Sequence, residues 1–299
     1  MGGTPLKRMF NLSGYERFAH ETPFDMAKHS TIGCGGKATI AFCPQSVAEA
    51  KALLSKLDTD KIPYQVVGNM SNVLPPDEGT GIPLVRTKNL NGVTVGDGAF
   101  VYAGVTSSAL LAICKRNQKS GAEFLNGIPC TLGGALFMNA GAGGVYISEI
   151  VDNVLVYQKG KTKILSVKDC HYAYKHSVFM GDGGVILGAS LRLTNATEKE
   201  IEEKENHFKA RRAHLPKGKS MGCVFKNPQG ESAGALIEKS GLKGLRVGGA
   251  VVSDKHANFI LNDKGATAKD IKTLISLVKN AVRSQYNVLL EEEIRYIPL

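Results

Sequence analysis

The sequence predicts an α+β fold built in three parts, and three features of the chain indicate it. A helical pattern at 46–57 precedes a strand-like segment that runs into a glycine turn at 68–72. A glycine-rich block at 127–144 lies among segments with the composition of strands. A charged segment at 197–212 precedes a further mixture of helices and strands, which favours a separate last part.

The composition is that of an ordinary globular protein with small anionic partners. Of the 299 residues, 43% are hydrophobic and 21% are charged, which provides a core and excludes disorder as the main state. The net charge of +10 favours anionic partners. Because no stripe of basic residues alternates with aromatic residues, we expect phosphorylated small molecules rather than nucleic acid.

The six cysteines indicate a reducing compartment. None forms a Cys-x-x-Cys pair, and no histidine stands at zinc-ligand spacing from a cysteine pair, so we expect no metal site. No apolar run is long enough to span a membrane, and the start of the chain lacks the apolar region of a signal peptide. We therefore expect a cytoplasmic protein with free thiols that binds no membrane.

In the first part, Ser46 and Glu49 predict a capping box at the start of a helix. The apolar side chains that would share its buried face are Val47, Ala50, Leu53, Leu54 and Leu57. A strand expected at 64–67 leads directly into the turn Gly68-Asn69-Met70-Ser71-Asn72. Gly, Ser and Asn suit hydrogen bonding to a phosphate or a cofactor ring, and they equally suit a plain β-turn.

The middle part is organised around the glycine block. Strands are expected at 100–105, 154–158 and 185–193, with a helix at 107–119. The glycines from Gly127 to Gly144 allow the backbone to approach a ligand and to point N–H groups at phosphate, although tight turns in a β-rich domain need glycine as well. The block is not a P-loop, because no Gly-Lys-Ser/Thr closes it, and it is not a G-x-G-x-x-G motif.

The charged helix expected at 197–212 has the composition of a solvated connector and marks a domain boundary. Beyond it, the pattern predicts helices at 232–239 and 268–286, with strands between them at 250–252 and 258–261. Thr267 and Asp270 would cap the last helix. A strand-like tail at 293–297 closes the chain.

Two further segments carry candidate chemistry. The segment Ser220-Met221-Gly222-Cys223-Val224-Phe225-Lys226-Asn227-Pro228 presents a thiol close to two polar side chains. An unperturbed thiol is mostly protonated at neutral pH and can give up a proton, although a free cysteine is more often a small core residue. In the segment 290–295, alternation puts Glu291 and Glu293 on one side of a strand, where they would also simply face water.

The residues of these motifs, and their order along the chain, resemble those of one known family. The segments that carry the resemblance are His29-Ser30-Thr31-Ile32-Gly33, Gly68-x-x-Ser71-Asn72, Gly127-Ile128-Pro129-x-Thr131-x-Gly133-Gly134-Ala135, Asn139-Ala140-Gly141-Ala142, Gly222 to Pro228, Gly248-Gly249-Ala250, Lys255-His256-Ala257 and Glu291-x-Glu293-Ile294-Arg295. They cover nearly the whole chain and resemble the MurB family, the UDP-N-acetylenolpyruvoylglucosamine reductases. The glycine block followed by Phe-Lys-Asn-Pro is the most specific of them.

The resemblance implies a fold with a two-part FAD-binding region of the vanillyl-alcohol-oxidase type and a C-terminal α+β substrate domain. The chain resembles the shorter form of the family, which lacks the extra substrate-covering loop of the longer form. The implied boundaries are 1–75 for the first FAD-binding part, 76–205 for the second and 206–293 for the UDP-sugar domain, with 294–299 returning to the first part.

The resemblance also implies an FAD-dependent oxidoreductase of bacterial peptidoglycan synthesis. In this family NADPH reduces FAD, and the reduced flavin converts UDP-N-acetylglucosamine enolpyruvate to UDP-N-acetylmuramate. The implied partners are this nucleotide sugar and NADPH, with no nucleic acid, no membrane and no obligate protein partner.

The site residues are carried over from the family's motifs position by position. Cys223 stands where the family has a proton-donating Ser, Glu293 matches a glutamate that helps to polarise the substrate carboxylate, and Lys175 stands in place of a catalytic Arg. Substrate binding is implied for Lys226, Asn227, Lys255 and His256. Cofactor binding is implied for Gly68, Asn69, Ser71, Asn72, Gly127, Ile128, Pro129, Thr131, Gly133, Gly134, Asn139, Ala140 and Gly141.

Four replacements distinguish the chain from the family pattern. Lys175 keeps the charge of Arg without its bidentate fork, and a thiol at Cys223 is intrinsically a stronger acid than a hydroxyl. Met70 and Cys130 replace glycines and would be strained at positive φ. The replacements at Lys175, Met70 and Cys130 leave one alternative, a divergent homologue that binds flavin or nucleotide sugar with weak or lost activity. An oxidase on the same fold is disfavoured, because the segment Phe225–Pro228 belongs to the nucleotide-sugar domain.

Overall fold

The structure is a computed structural model that describes residues 10–299. The predicted start of the first part at Met1 and the predicted lack of a signal peptide concern residues 1–9, which lie outside the described residues. Among the helices within 10–299, none combines the length and the apolar character needed to cross a membrane. The same residues contain no group of three or more His, Cys, Asp and Glu side chains that could hold a metal ion.

The first part is a small α/β unit, as the sequence predicts. Its elements are β1 (His20–Glu21), β2 (Phe24–Asp25), α1 (Met26–His29), β3 (Lys37–Ala38), β4 (Ala41–Phe42), α2 (Val47–Thr59), β5 (Gln65–Val67), β6 (Val73–Leu74) and β7 (Leu84–Arg86). The main sheet has the order β1-β4-β7-β5, with β7 parallel to β4 and to β5. This sheet extends to Arg86, past the implied boundary at residue 75.

Helix α2 begins as expected but uses its first acidic residue differently. The Ser46 side chain accepts a hydrogen bond from the Glu49 N–H and so caps the helix. The Glu49 carboxylate does not return to Ser46, because it accepts hydrogen bonds from the N–H groups of Ala19 and Gln45 instead. The predicted reciprocal box is therefore wrong, and Glu49 ties the helix to the segment before β1.

The second part contains the largest sheet. Its elements are β8 (Val93–Val95), β9 (Ala99–Tyr102), α3 (Ser107–Arg116), β10 (Lys119–Ser120), α4 (Leu132–Met138), β11 (Gly141–Ala142), β12 (Val145–Tyr146), β13 (Val151–Gln158), β14 (Lys161–Ser166), β15 (Val185–Leu191) and β16 (Thr194–Asn195). Five strands pair in the order β14-β13-β15-β9-β8. Helix α3 ends three residues before the predicted Lys119, since Gln118 adopts a positive φ and Lys119 pairs with Asn195.

The last part is a four-stranded sheet covered by two helices. Its elements, after the charged helix α5 (Glu198–Arg212), are β17 (Ser220–Cys223), α6 (Ala233–Lys239), β18 (Arg246–Val247), β19 (Ala250–Val252), β20 (Phe259–Asn262), α7 (Ala268–Tyr286) and β21 (Arg295–Tyr296). The sheet order is β17-β20-β19-β18. The box between Thr267 and Asp270 caps α7, as predicted.

Two connections fix the last part against the first. Strand β21 pairs in parallel with β6, and Ile297 is buried in the first part's apolar cluster, so the tail returns as expected. In the other direction, the Thr31 hydroxyl donates to the Ser220 carbonyl at 2.6 Å, and Ile32 is buried in the apolar cluster of the last part. These contacts hold the end of β17 close to the turn at 68–72.

Candidate active site

A cleft of about 830 Å³ is lined by all three parts of the fold, and we call it the central cleft. One set of lining residues, the glycine wall, consists of the turn at 68–72 together with residues of the 128–143 block. A second set, the polar trio, consists of Lys175, Cys223 and Glu293. Motifs that are far apart in the sequence therefore meet at one site.

The glycine wall depends on close approach of two backbone segments. A Cβ on Gly68 would lie 2.4 Å from the Thr131 Oγ1, so only glycine fits at this point of the turn. The same hydroxyl accepts from the Gly134 N–H at 3.3 Å and caps α4. The Asn69 Nδ2 donates to the Pro129 carbonyl at 2.8 Å. The turn and the glycine block are thus in direct contact.

The two replaced glycines of this wall differ in backbone conformation. Met70 has a φ of 50° and is 2% exposed, so a large side chain occupies the left-handed region that favours glycine. Cys130 has no positive φ, and the strain expected there is absent. The expectation holds for Met70 and is wrong for Cys130.

Lys175 and Glu293 form an ion pair at the cleft. Lys175 lies in a tight turn between Ala173 and His176 with a φ of 53°, and its Nζ is 2.8 Å from the Glu293 Oε1. Only 18% and 12% of the two side chains are exposed. Burial raises the pKa of Glu293, although the lysine opposes this shift. Burial lowers the pKa of Lys175, but Glu293 outweighs it and the net shift is upward, so Lys175 is an ammonium at neutral pH.

Cys223 lies at the end of β17, beside the tail that carries Glu293. The Glu293 N–H donates to the Val224 carbonyl at 2.8 Å, which aligns the two segments. Burial, and then the Glu293 carboxylate, raises the pKa of Cys223 to about 11. The sequence motif suggests an exposed thiol, which is intrinsically a stronger acid than a hydroxyl. The structure instead has a half-buried thiol that stays protonated and gives up its proton less readily.

The four implied substrate residues divide into two groups. Lys226 and Asn227 lie three and four residues after Cys223. Lys226 pairs with Glu291 at 2.5 Å, and the Asn227 Oδ1 accepts from the Ala233 N–H at 3.0 Å. Neither Lys226 and Asn227 nor Lys255 and His256 are part of the cleft lining. Lys255 is exposed, and His256 packs behind Phe259, which does line the cleft, with its ring edge-on at 5.1 Å.

Most of the implied cofactor residues line the central cleft. They are Gly68, Asn69, Ser71, Asn72, Ile128, Pro129, Thr131, Gly133, Gly134, Ala140 and Gly141. Gly127 and Asn139 do not. The Gly127 carbonyl accepts a hydrogen bond from Arg212, and the Asn139 side-chain amide donates to the Ala173 carbonyl.

Sequence reasoning missed a group of cleft residues at the end of α5. Phe208, Arg211 and Arg212 line the cleft, although the helix as a whole is charged and buries only Ile201. The Arg212 Nη2 donates to the Gly127 carbonyl at 3.1 Å. The available signal was the short basic cluster at 209–212, which adds positive charge to a cleft already containing Lys175.

Two family models match the chain. One, described as FAD binding domain, matches residues 38–165 and so contains most of the glycine wall. The other, described as UDP-N-acetylenolpyruvoylglucosamine reductase, C-terminal domain, matches residues 213–297 and contains Cys223 and Glu293. Helix α5 lies between the two matched ranges.

Relatives match over almost the full length of the chain. The UDP-N-acetylenolpyruvoylglucosamine reductase of Clostridioides difficile is 37% identical over 277 residues, 91% of each chain. The reductase of the same name from Bacillus velezensis is 36% identical over 278 residues, 91% of this chain and 92% of that one. Among solved structures, UDP-N-acetylenolpyruvylglucosamine reductase from Thermus caldophilus is similar with a TM-score of 0.81 and 32% identity, covering 94% of this chain and 99% of that chain.

Proposed function

We propose that this chain, which belongs to the UDP-N-acetylenolpyruvoylglucosamine reductase family, reduces UDP-N-acetylglucosamine enolpyruvate to UDP-N-acetylmuramate with NADPH and bound FAD. The observation that carries this proposal is the central cleft, where a glycine-rich wall and a half-buried Lys175–Glu293 pair meet beside the Cys223 thiol. A flavin oxidoreductase that must also protonate carbon needs both kinds of surface in one place.

The residues of the central cleft fit FAD. The close contact between Gly68 and Thr131 gives a wall without side chains in the way, against which a large flat ligand can lie. Phe137, Phe179 and Phe208 add aromatic surface to the lining. Its cationic side chains Arg211, Arg212 and Arg295 suit the diphosphate of a dinucleotide. Of the thirteen residues implied by the family motifs, we propose the eleven that line the cleft as the cofactor contacts. Gly127 and Asn139 do not line it, and we propose that they act only through the backbone segments to which they are hydrogen-bonded.

The polar trio suits the second half of the reaction. When bound, FAD supplies the transfer of hydride from NADPH to the terminal alkene carbon of the substrate. The neighbouring carboxylate gains negative charge in that step, and the Lys175 ammonium stabilises it while Glu293 holds Lys175 in place. The Cys223 thiol, which is protonated at neutral pH, gives its proton to the carbon that bears the carboxylate.

The last part of the chain is proposed to hold the nucleotide sugar. Lys226 and Asn227 lie in the segment that continues from Cys223, and the Asn227 N–H donates to the Tyr174 hydroxyl at 3.2 Å. This contact joins the Lys175 turn to the segment that would bind the diphosphate. Lys255 and His256 lie farther out, so we expect them to support the binding of UDP rather than to contact the reacting group.

The visible absorption spectrum and the NADPH-dependent reaction of the purified protein test this function. We expect flavin absorption bands, and consumption of NADPH that depends on the enolpyruvyl nucleotide sugar and yields UDP-N-acetylmuramate. Asn227→Ala should weaken binding of the sugar more than binding of flavin. A protein that holds flavin but consumes no NADPH with this substrate would contradict the reductase function and favour a binding homologue.

A further inference from the structure

The Asn139 side chain supports the turn that carries Lys175. Asn139 ends α4 in the left-handed conformation, with a φ of 45°, and is buried. Its Nδ2 donates to the Ala173 carbonyl at 3.0 Å, and its Oδ1 accepts from the Ser148 N–H at 3.3 Å. Both ends of the amide are therefore engaged, one of them with the backbone two residues before Lys175.

The Asn258 side chain supports the segment that follows Cys223. Its Oδ1 accepts from the Phe225 N–H at 2.9 Å, and its Nδ2 donates to the Phe225 carbonyl at 2.8 Å. The Val224 N–H donates to the Asn258 carbonyl at 2.8 Å. Asn258 is 3% exposed, and it immediately follows the Lys255-His256-Ala257 motif. The amide of Asn258 thus fixes both backbone polar groups of Phe225, two residues after Cys223.

The Asn72 side chain supports Glu293 in a similar manner. The Asn72 Nδ2 donates to the Glu293 carbonyl at 3.0 Å, and the Asn72 backbone carbonyl accepts from the Arg295 N–H at 2.9 Å. Asn72 closes the glycine turn, so it links the cofactor wall to the backbone of the carboxylate.

We propose that Asn72, Asn139 and Asn258 are positioning residues, each holding the backbone that carries one member of the polar trio. This proposal rests on the proposed function, because precise placement of the trio affects a reaction rate only if the reaction takes place there. A neutral amide can satisfy a peptide N–H and a peptide carbonyl together, which neither alanine nor aspartate can do. Small displacements of reacting groups reduce rates strongly. Hydrogen bonds from these three asparagines would therefore keep the members of the trio in their relative positions.

Asn139→Gly tests the proposal, with Asn287→Gly as its matched control. Both asparagines end a helix in the left-handed conformation, which glycine adopts without strain, so each substitution removes only the amide. Asn287 is exposed at the end of α7. We expect Asn139→Gly to bind flavin and to be reduced by NADPH like the parent, and to lose about 10- to 100-fold in flavin reoxidation by the nucleotide sugar. Asn287→Gly should match the parent in all three measurements.

A double-mutant cycle with Lys175→Ala separates positioning from general stability. If Asn139 acts through Lys175, the double variant should be no slower in reoxidation than Lys175→Ala alone. Losses that multiply, or an Asn139→Gly enzyme that reoxidises at the parent rate, would overturn the proposal. Asn258→Asp provides a second variant, since it keeps an acceptor for the Phe225 N–H but loses the donor to the Phe225 carbonyl. It should show the same selective loss.

Amide hydrogen exchange distinguishes failure of this proposal from failure of the proposed function. Exchange in the segment 170–177 should increase in Asn139→Gly and not in Asn287→Gly. Unchanged exchange would overturn the positioning role whatever the activity. Increased exchange in a chain whose parent form does not reduce the nucleotide sugar would refute the proposed function and leave Asn139 as the support of the turn.

Discussion

The glycine wall and the polar trio share one cleft but are built in different ways. The wall works through its backbone, because Gly68 lets the turn come within contact of Thr131. The trio works through side chains whose charge and acidity are set by burial. The replacements in the two regions accordingly differ in kind. Met70 in the wall affects backbone strain and therefore stability, whereas Cys223 and Lys175 in the trio change the chemistry that is available.

The largest expected effect comes from Gly68→Ala, a substitution that disrupts the glycine wall. In Gly68→Ala the added Cβ would lie 2.4 Å from the Thr131 Oγ1, so the turn must move away from the cap of α4. We expect flavin to be lost on purification and the reductase activity with it. The control is Gly96→Ala, where the Cβ meets nothing within 4 Å. The ratio of flavin to protein absorbance checks this. A Gly68→Ala protein with full flavin content would show that the contact is not needed.

A smaller loss should follow from breaking the half-buried ion pair between Lys175 and Glu293. Glu293→Gln leaves Lys175 without its carboxylate partner, so burial lowers the pKa of the lysine and the ion pair no longer holds the ammonium in place towards the substrate. We expect reoxidation of the reduced flavin to slow by about 100-fold. The free energy of unfolding should fall by about 1–3 kcal/mol, less than for a fully buried pair, since both side chains keep some exposure.

Glu202→Gln is the matched control for that variant. Glu202 pairs with Lys115 at 2.6 Å, but its side chain is 51% exposed. Removing this exposed pair should change the free energy of unfolding by less than about 1 kcal/mol and leave both half-reactions unchanged. Equal losses in the two variants would mean that burial of the Lys175–Glu293 pair has no special effect.

Backbone strain at Met70 should appear as a stability difference between two truncations. Met70→Ala and Met70→Gly both remove the buried side chain, but only glycine relieves the left-handed backbone. We expect Met70→Gly to be more stable by about 1 kcal/mol, measured from urea unfolding midpoints. Equal midpoints would indicate that the turn relaxes to another conformation once the side chain is removed.

The smallest expected effect is that of pH on protonation of the substrate. The pKa of Cys223 is raised to about 11, and a proton donor acts in its protonated form, which is present below that pKa. The rate of flavin reoxidation should therefore show no loss from thiol ionisation between about pH 6 and about pH 9, and should fall only as the pH rises towards the pKa. A tenfold fall for each pH unit above about 8.5 would indicate an unperturbed thiol and contradict the effect of burial.

Local chemistry predicted much of the fold. The start of α7 could be read from Thr267 and Asp270, because a capping box involves residues three apart. The hydrogen-bond partners of Glu49 could not be predicted from the sequence, because one of them, the Ala19 N–H, comes close to Glu49 only in the folded sheet. The early end of α3 depends in the same way on pairing between Lys119 and Asn195.

The candidate site was predictable where a motif supplies the residue itself. Cys223, Glu293 and Lys175 come from three separate motifs and meet at the central cleft. Arg212 was missed because its role depends on how α5 packs beside Gly127. The motif at 255–257 was assigned to the substrate, yet its structural contact with the site passes through the next residue, Asn258. A raised thiol pKa likewise follows from burial, which a sequence does not contain.

The central claim is that the Cys223 thiol protonates the substrate, and reoxidation of NADPH-reduced flavin in Cys223→Ala tests it most directly. Stopped-flow absorbance should show reduction by NADPH close to the parent rate. Reoxidation by the enolpyruvyl nucleotide sugar should be slower by about 10²- to 10⁴-fold, with much of the rate recovered in Cys223→Ser. A Cys223→Ala enzyme that reoxidises at the parent rate would contradict the account and leave Cys223 as a half-buried thiol with no part in the reaction.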